Sequence, residues 1–209
     1  MQITEIFFSI QGEGIHTGLP TVFIRATGCN LRCTYCDTTY AYENGKEMSI
    51  DQIISKIEKY QCINICITGG EPLLQNDTLR LIRKLQEKKY QISLETNGSI
   101  PLPLDLNKNN LMISMDLKMP SSKMHEHMRF ENLKKLTEND QLKCIIQHKE
   151  DYQYAKKMVK DFQPICHIIF QPVWGSDMEK LAEWILNDKL SVRMGVQLHK
   201  LVWGEKTQR

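Results

Sequence analysis

The sequence predicts an α/β fold: a partial, open parallel β/α barrel built from about six βα units. Strand-like runs rich in β-branched residues alternate along the chain with amphipathic segments at helical spacing. Such alternation is typical of parallel strands joined by right-handed helical crossovers. Six units are too few to close an eight-stranded barrel, so we expect the sheet to stay open. No low-complexity segment or linker divides the sequence, and we expect residues 1–209 to form a single domain.

The first unit is predicted from a strand followed by a capped helix. Residues Thr21–Thr27 are mostly β-branched or aromatic, which favours a strand. Ser49 and Gln52 have the spacing of a capping box at a helix N-terminus. Isoleucines then recur along one helical face, at Ile50, Ile53, Ile54 and Ile57. This segment is therefore predicted to be the first crossover helix.

The later elements continue the alternation and are bounded by turn residues. The predicted strands are Ile63–Thr68, Gln91–Glu95, Leu111–Leu117, Gln141–Gln147, His167–Gln171 and Val192–Gln197. The predicted helices are Asp77–Lys89, Phe130–Leu136, Asp151–Phe162 and Asp177–Leu186. Pro and Asn residues between 101 and 110 predict one loop, and the polar segment from Pro120 to Arg129 predicts another.

Composition and charge narrow the class of function. The net charge is +2, and the chain has no long block of like charges that would suggest a nucleic-acid surface. The N-terminus lacks a basic segment before its short apolar run, and no apolar run approaches the roughly 18 residues that cross a bilayer. We therefore expect a cytoplasmic protein that binds neither nucleic acid nor membrane. In that reducing compartment the seven cysteines should be metal ligands and core residues, and the core set is Cys62, Cys66, Cys144 and Cys166.

The strongest motif is a cluster of three cysteines directly after the first predicted strand. Cys29, Cys33 and Cys36 follow a Cys-x3-Cys-x2-Cys spacing, and the nearest histidines in sequence, His16 and His125, are not part of the motif. A structural zinc site would need a fourth ligand. An iron–sulfur cubane held by three thiolates instead leaves one iron open to bind something else. The spacing favours such an open catalytic cluster over a closed zinc or iron–sulfur module.

Three further polar motifs fall near predicted strands. Gly69, Gly70 and Glu71 end the second strand, where backbone carbonyls and a carboxylate could approach a ligand ammonium group. The segment Glu95–Gly98 ends the third strand with groups suited to a ribose or a polar ring. Ser9–Gly14 precedes the first strand, and its backbone N–H groups beside Gln11 and Glu13 could read the edge of a hydrogen-bonding ring. The functional residues of parallel α/β folds collect at the carboxyl ends of the strands, so we expect these motifs to meet at one face.

Together these motifs resemble the radical S-adenosylmethionine (SAM) superfamily, which shares the three-cysteine loop and the Gly-Gly-Glu-Pro turn. Within that superfamily the chain resembles the 7-carboxy-7-deazaguanine synthases, over residues from about 5 to about 200. The segments that carry this closer likeness are Phe8–Gly14, Gly18–Pro20, Phe23–Arg25, Gly28–Thr38, Thr68–Leu73, Glu95–Gly98 and Asp116–Ser122.

The resemblance implies a reaction and its cofactors. The family converts 6-carboxy-5,6,7,8-tetrahydropterin to 7-carboxy-7-deazaguanine with loss of ammonia, in queuosine and 7-deazapurine biosynthesis. It uses a [4Fe–4S] cluster and SAM to form a 5′-deoxyadenosyl radical that abstracts a hydrogen atom from C6 of the substrate. SAM is regenerated, and Mg²⁺ orients the substrate carboxylate. The resemblance also implies a flavodoxin or ferredoxin as electron donor and a homodimer.

The family's roles transfer to matching positions of this sequence. Cys29, Cys33 and Cys36 are implied to hold the cluster, and Thr38 to bind Mg²⁺. The residues implied to bind substrate are Ile10, Gln11, Gly12, Glu13, Arg25 and Thr96. The residues implied to bind SAM are Tyr35, Asp37, Gly69, Gly70, Glu71, Gly98, Asp116, Leu117, Lys118 and Gln171. Arg25 suits a carboxylate because its planar guanidinium can bind two oxygens at once.

Some points remain open in the sequence. Many bacterial members of the family have Ser-Pro-Lys where this chain has Asp116-Leu117-Lys118, so the role of Asp116 is less defined than that of Lys118. Either His199 or Trp203 could close the substrate pocket, or both could lie at a surface helix end or in a dimer contact. The main alternative function is a radical SAM activase of a glycyl-radical enzyme, which shares the cysteine loop but acts on a protein. A non-catalytic iron–sulfur or zinc module is the other alternative.

Overall fold

The computed structural model describes residues 1–103 and 107–206, and in this part of the chain nine strands form one sheet. In chain order the strands are β1 (Gln2–Ile10), β2 (Pro20–Ala26), β3 (Lys46–Glu47), β4 (Asn64–Gly69), β5 (Gln91–Thr96), β6 (Leu111–Leu117), β7 (Gln141–Ile146), β8 (His167–Pro172) and β9 (Arg193–Met194). Their order across the sheet is β3-β1-β2-β4-β5-β6-β7-β8-β9. From β2 to β9 every neighbouring pair is parallel, so the predicted open parallel α/β architecture is confirmed.

The sheet begins with an antiparallel extension that sequence reasoning missed. Strand β1 pairs antiparallel with β2, and the short β3 pairs antiparallel with β1. The register of β1 shifts between Ile3 and Glu5, which is a β-bulge. The bulge interrupts the alternation of inward and outward residues, so the N-terminal segment lacks the two-residue period that identifies a strand.

Among the residues that the structure describes, five α-helices connect or follow the strands. They are α1 (Ile50–Glu58), α2 (Thr78–Glu87), α3 (Lys149–Phe162), α4 (Met178–Asn187) and α5 (Leu198–Trp203). The predicted capping box of α1 is confirmed: the Ser49 side chain accepts from the Gln52 backbone N–H at 3.2 Å, and the Gln52 side chain accepts from the Ser49 backbone N–H at 2.8 Å. A cap of this kind stabilises a helix by about 1 kcal/mol. The four predicted isoleucines of α1 are all buried.

Two predicted elements differ from the structure. Segment 130–136 was predicted as an α-helix, but residues Phe130–Lys135 form 3₁₀ turns. The buried Asn132 side chain donates to the carbonyls of Gly98 and Ile100 and accepts from the Leu102 backbone N–H. An asparagine that bonds to other backbone groups in this way competes with helix formation. The strand predicted at Val192–Gln197 is reduced to Arg193–Met194 because the chain leaves the sheet toward the cavity described below.

The other predicted elements are confirmed to within one or two residues at most ends. Part of the loop predicted between residues 101 and 110 lies outside the described residues. The segment from Pro120 to Arg129 is irregular as predicted, with short 3₁₀ turns at Pro120–Ser122 and His125–His127. Among the described residues, no helix is long and apolar enough to cross a membrane.

The two faces of the sheet differ in polarity, and this difference creates the site. One face is apolar and packs against the helices. Ile24 and Ile67 of the sheet form one buried cluster with Ile53 of α1 and Leu81 of α2, and Leu117, Cys144 and Phe170 of the sheet form another with Tyr152 of α3. The alternate positions on the opposite face are largely polar, and they include Arg25, Glu95, Asp116, Lys143 and Gln171. The polar side chains on this second face are therefore available to bind and orient a polar ligand.

Of the four cysteines predicted to be core residues, Cys144 and Cys166 pack in the second apolar cluster. Cys66 is buried, but it faces the polar side of the sheet and lines the cavity. Cys62 is only half-buried, with its sulfur 3.2 Å from the carbonyl of Pro20. Within the described residues all seven cysteines are free thiols.

Candidate active site

A cavity of about 550 Å³ opens at the carboxyl ends of the parallel strands. Its wall is formed by the loops after β1, β2, β4, β5 and β6, by the end of β8 and by α5. The motifs predicted to converge therefore do so. Of the residues singled out from the sequence, those on the cavity wall are Ile10, Gln11, Gly12, Glu13, Arg25, Cys29, Cys33, Tyr35, Cys36, Asp37, Thr38, Gly69, Gly70, Thr96, Asp116, Lys118 and Gln171.

The cysteine loop is held against the sheet by local contacts. Leu31, between the first two cysteines, is 2% exposed and anchors the loop in the apolar core. Arg32 donates from its guanidinium to the carbonyls of Cys29 and Leu31, both at 2.8 Å. The three cysteines are half-buried on the cavity wall, and burial raises the pKa of the Cys33 thiol. The described residues contain no group of His, Cys, Asp or Glu side chains placed to hold a single metal ion.

The Gly-Gly-Glu turn after β4 packs directly on the cysteine loop. The backbone N–H of Glu71 donates to the carbonyl of Gly28 at 2.7 Å. A Cβ atom added at Gly70 would lie 2.1 Å from that same carbonyl oxygen and 2.8 Å from the Cβ of Cys29. Only glycine allows this close approach, so Gly70 fixes the position of Cys29 relative to the sheet.

Glu71 lies behind the cavity wall instead of on it, and the residue is 0% exposed. Its Oε1 accepts from the Leu73 backbone N–H at 2.9 Å, and its Oε2 accepts from the Asn97 backbone N–H at 2.6 Å. The Thr96 hydroxyl lies 3.0 Å from both oxygens. The carboxyl group thus joins the turn after β4 to the turn after β5. Gly98 and Leu117 also lie behind the wall: the Gly98 carbonyl accepts from the Arg129 backbone N–H, and Leu117 is in the apolar core.

Arg25 extends from β2 into the cavity beside aromatic rings. Its Nε donates to Oε1 of Glu5 at 2.6 Å, and its guanidinium carbon lies 5.8 Å from the ring centres of both Phe7 and Tyr40. The Tyr40 hydroxyl donates to the same Glu5 oxygen at 3.0 Å. These contacts hold the guanidinium group in one orientation at the cavity wall, as the binding of a carboxylate would require.

A second group of polar residues lies around the last cysteine. Lys200 of α5 donates to Oδ2 of Asp37 at 2.5 Å, and the Thr38 hydroxyl donates to Oδ1 at 3.0 Å. Burial opposes ionisation of Asp37, but the Lys200 ammonium group outweighs it and lowers the pKa of that carboxyl. The C-terminal helix is therefore tied to the cysteine loop.

The floor of the cavity consists of four largely buried charged residues, Glu13, Glu95, Asp116 and Lys143, of which the sequence analysis did not identify Lys143. Lys143 of β7 is 5% exposed, and its Nζ lies 2.9 Å from Oε2 of Glu13, 3.0 Å from Oε2 of Glu95 and 3.3 Å from Oδ1 of Asp116. Lys118 donates to the other oxygen of Asp116 at 2.7 Å. A lysine within the otherwise apolar segment around Leu142–Ile146 was the signal that could have revealed this floor.

The C-terminal region also contributes to the wall. Gln197 and His199 line the cavity, whereas Trp203 does not. Gln197 donates to Oε1 of Glu13 at 2.8 Å. A Cβ atom added at Gly12 would lie 1.9 Å from Nδ1 of His199, so the imidazole ring packs directly on that glycine. Of the two C-terminal candidates, His199 is the one that reaches the cavity.

Several buried polar atoms on the cavity wall accept or donate no hydrogen bond within the described part of the chain. They are the Tyr35 hydroxyl, Oε1 of Gln171, Oε1 of Gln197 and Oδ1 of Asp116, the last of which is near Lys143 but poorly aligned with it. Buried polar groups are nearly always paired in native proteins. Their unpaired state here indicates a cavity shaped for a polar ligand.

Known proteins are similar to the chain in sequence and in fold. A model of the radical SAM superfamily matches residues 23–144. A 7-carboxy-7-deazaguanine synthase from Thermoplasma acidophilum is 37% identical over 98% of this chain and 98% of that protein. Another, from Chlorobaculum tepidum, is 40% identical over 98% of this chain and 94% of that protein. The crystal structure of QueE from Escherichia coli matches the fold with a TM-score of 0.79 and 22% identity, over 95% of this chain and 94% of that one.

Proposed function

The chain belongs to the 7-carboxy-7-deazaguanine synthase family of the radical SAM superfamily, and we propose that it converts 6-carboxy-5,6,7,8-tetrahydropterin to 7-carboxy-7-deazaguanine. The reaction contracts the reduced ring and releases ammonia, as a step of queuosine and 7-deazapurine biosynthesis. We also propose that residues 1–209 form one radical SAM domain and that the enzyme is cytoplasmic, where its free thiols would stay reduced.

The cysteine loop fits an iron–sulfur cluster, which radical SAM proteins bind together with SAM. Cys29, Cys33 and Cys36 are free thiols on the wall of one cavity, and thiolates are the ligands that iron–sulfur clusters require. When bound, the [4Fe–4S] cluster and SAM would supply a 5′-deoxyadenosyl radical that removes the hydrogen atom from C6 of the pterin. The three thiols would hold the cluster and would leave one iron available to bind SAM.

We assign the remaining residues by their place on the wall or behind it. Those that line the cavity would contact SAM directly, namely Tyr35, Asp37, Gly69, Gly70, Asp116, Lys118 and Gln171. Glu71, Gly98 and Leu117 lie behind the wall and would support the loops that carry these contacts. The Tyr35 hydroxyl and Oε1 of Gln171 are unpaired in the cavity, so each offers a hydrogen bond to a polar ligand.

The substrate would lie between Arg25 and the polar floor. Arg25 would bind the carboxylate on C6, because its guanidinium is oriented by Glu5 and is the basic group on the β2 side of the cavity. Gln11, Gly12 and Glu13 would read the edge of the pterin ring, with Thr96 nearby and Ile10 packing against the ring. Thr38 would place its hydroxyl on Mg²⁺, a cation that prefers oxygen ligands.

The observation that carries the proposal is the position of the polar floor beneath the cysteine loop. Glu13, Glu95, Asp116 and Lys143 line the same cavity as the three cysteines, so a ring bound on the floor would lie beside the cluster and SAM. A hydrogen-bonding heterocycle with an attached carboxylate matches the charged and polar groups on this wall.

Anaerobic turnover tests the proposal. The cluster would be reconstituted, and the protein would be incubated with SAM, Mg²⁺, a reductant and 6-carboxytetrahydropterin. We expect mass spectrometry to detect 7-carboxy-7-deazaguanine, and we expect Cys33→Ala to abolish its formation. Cys62→Ala is the matched control, because Cys62 is a free thiol outside the cavity. Formation of 5′-deoxyadenosine without the deazaguanine would contradict the proposed substrate and would favour a radical SAM activase.

The same preparation tests the proposed partners. Flavodoxin or ferredoxin should replace the chemical reductant if either is the electron donor. A homodimer should elute at about twice the mass of the chain in size-exclusion chromatography with light scattering.

A further inference from the structure

A buried lysine joins three carboxylates that arrive from three different elements. Lys143 extends from the inner face of β7, while Glu13 follows β1, Glu95 ends β5 and Asp116 ends β6. All three carboxylates lie within 3.3 Å of its Nζ. The family resemblance assigned no role to Lys143 or to Glu95.

The charges of this group do not balance within the described residues. Lys118 is the second ammonium group, and it pairs with Asp116. Three carboxylates thus face two ammonium groups, which leaves one negative charge in excess on the floor of the cavity. Burying an uncompensated charge is costly, so a ligand that brings N–H donors to this floor would relieve the cost. The aminopyrimidinone edge of a pterin presents such donors side by side.

The orientation of Glu13 depends on two contacts. Lys143 binds its Oε2 at 2.9 Å, and Gln197 binds its Oε1 at 2.8 Å. Burial alone would raise the pKa of Glu13, but the Lys143 ammonium group and the hydrogen bonds lower it to about 2. Burial raises the pKa of Glu95, even though the same ammonium group opposes the shift. Loss of Lys143 would therefore free Glu13 to turn and would allow the carboxylates to take up protons.

Lys143 is not part of the apolar core. Its neighbours along β7, Leu142 and Cys144, point to the opposite face and pack in the apolar core. Lys143 itself faces the cavity, together with Ile145. The ammonium group of Lys143 is therefore surrounded by the carboxylates of the cavity floor.

We propose that Lys143 is a positioning residue for the substrate: its ammonium group holds Glu13 and Glu95 as hydrogen-bond acceptors that face the N–H donors of the pterin ring. This inference rests on the proposed function. It predicts that Lys143 governs the affinity for the pterin. The affinity for SAM should change little, because Asp116 keeps its closer partner Lys118 at 2.7 Å when Lys143 is replaced.

The test compares Lys143→Met with the double variant Lys143→Met/Glu95→Gln and with Lys108→Met. The double variant removes one cation and one carboxylate, so it keeps the excess charge of the wild-type floor. Lys108 is a matched control because its Nζ also binds a buried carboxylate, that of Asp140, but it lies outside this cavity. Cluster-loaded proteins without reductant would be used to measure the Kd of 6-carboxytetrahydropterin and of SAM by equilibrium dialysis, alongside thermal unfolding.

We expect Lys143→Met to raise the Kd of the pterin by about 100-fold, since removing one partner of a buried charge pair is strongly destabilising. The Kd of SAM should change by less than about 3-fold. The double variant should recover thermal stability but should keep a Kd for the pterin at least about 10-fold above wild type, because Glu13 still lacks its ammonium partner. Lys143→Arg should retain most of the affinity, and Lys108→Met should bind both ligands as wild type does.

A wild-type Kd for the pterin in a folded Lys143→Met or double variant would overturn the inference. So would a parallel weakening of pterin and SAM binding that follows the loss of thermal stability, since that is the effect of a purely structural residue. If Lys143→Met does not fold, the double variant is compared with Glu95→Gln alone, and an equal Kd for the pterin in these two proteins would overturn the inference. If neither Lys143 variant folds, then Lys143 is structural and the proposal falls. Failure of the wild-type protein to bind or turn over the pterin would instead refute the proposed function itself.

Discussion

The substitution Glu71→Gln tests whether the carboxyl group behind the cavity wall organises the site. Each oxygen of Glu71 accepts a backbone N–H, one from Leu73 and one from Asn97. An amide has a single acceptor oxygen. Whichever way the glutamine side chain turns, its NH₂ group must therefore face one of these two N–H donors.

The expected cost follows from this geometry. A buried donor left without a partner costs about 1–3 kcal/mol. The remaining bonds also lose strength when a carboxylate is replaced by an amide. We therefore expect Glu71→Gln to lower the free energy of unfolding by about 2–3 kcal/mol, which corresponds to a fall in Tm of about 5–10 °C for a chain of this size.

Glu71→Gln should also disturb the cysteine loop, because Asn97, which donates to Glu71, contacts that loop as well. The Asn97 side-chain amide is 3.1 Å from Oδ1 of Asn30 and 3.7 Å from the sulfur of Cys29. Thermal unfolding and iron content after reconstitution are the two readouts, and both should fall in Glu71→Gln. Glu87→Gln, at an exposed helix position, should change neither. A variant that keeps the wild-type Tm and iron content would refute the role assigned to Glu71.

Further predictions concern the loops, the core and the dependence on pH. Gly70→Ala forces a Cβ against the backbone of the cysteine loop, so it should lower the free energy of unfolding by about 1–3 kcal/mol and reduce cluster loading. In Gly175→Ala the new Cβ meets nothing within 4 Å, so this variant should load the cluster normally, even though the φ of +84° at Gly175 is strained for alanine. Tyr152→Phe removes a hydroxyl outside the cavity lining whose single proton is shared between the Trp184 carbonyl and the Asp188 carboxylate. It should lower the free energy of unfolding by about 1 kcal/mol, as read from a denaturant titration, and leave the Kd of the pterin unchanged. The pKa of Glu13 is lowered from its usual 4.5 to about 2, so the Glu13 carboxylate contributes stability above pH 4.5 that is lost as the pH falls toward 2. In acid denaturation, Glu13→Gln should therefore flatten the dependence of the unfolding free energy on pH between these values. An unchanged dependence would contradict the ion pairing of Glu13.

The parallel part of the sheet and the convergence of the motifs could be predicted because each depends on local pattern. The capping box at Ser49 and the isoleucines of α1 are encoded within a few residues. Strand β1 could not be recognised in the same way, because its bulge between Ile3 and Glu5 hides the two-residue period. The segment 130–136 carries helix-forming residues, but the long-range hydrogen bonds of Asn132 decide its conformation.

In the candidate site, too, the parts encoded by contiguous residues could be predicted, and the parts assembled from distant residues could not. The cysteine spacing and the glycine turn are contiguous motifs, and the structure places them on one cavity wall. The charged floor is assembled from single residues on separate elements, and Lys143 meets Glu13 across 130 positions of the sequence. Only the fold brings such residues together, which is why Lys143 and its contacts with the three carboxylates were not predicted. The burial of Glu71 behind the cavity wall could not be predicted either, because a carboxylate next to two glycines in a turn is equally consistent with a direct ligand contact.

The most direct test of the central claim follows the hydrogen atom on C6 of the substrate. Wild-type protein with a reconstituted cluster would be given 6-carboxytetrahydropterin deuterated at C6 and would be allowed to turn over anaerobically with SAM. The account predicts 7-carboxy-7-deazaguanine together with deuterium in the recovered SAM, because the atom passes to the deoxyadenosyl group and SAM is regenerated. Recovery of unlabelled SAM, with the deuterium still in unreacted pterin, would contradict the claim that this cavity holds the pterin beside the cluster.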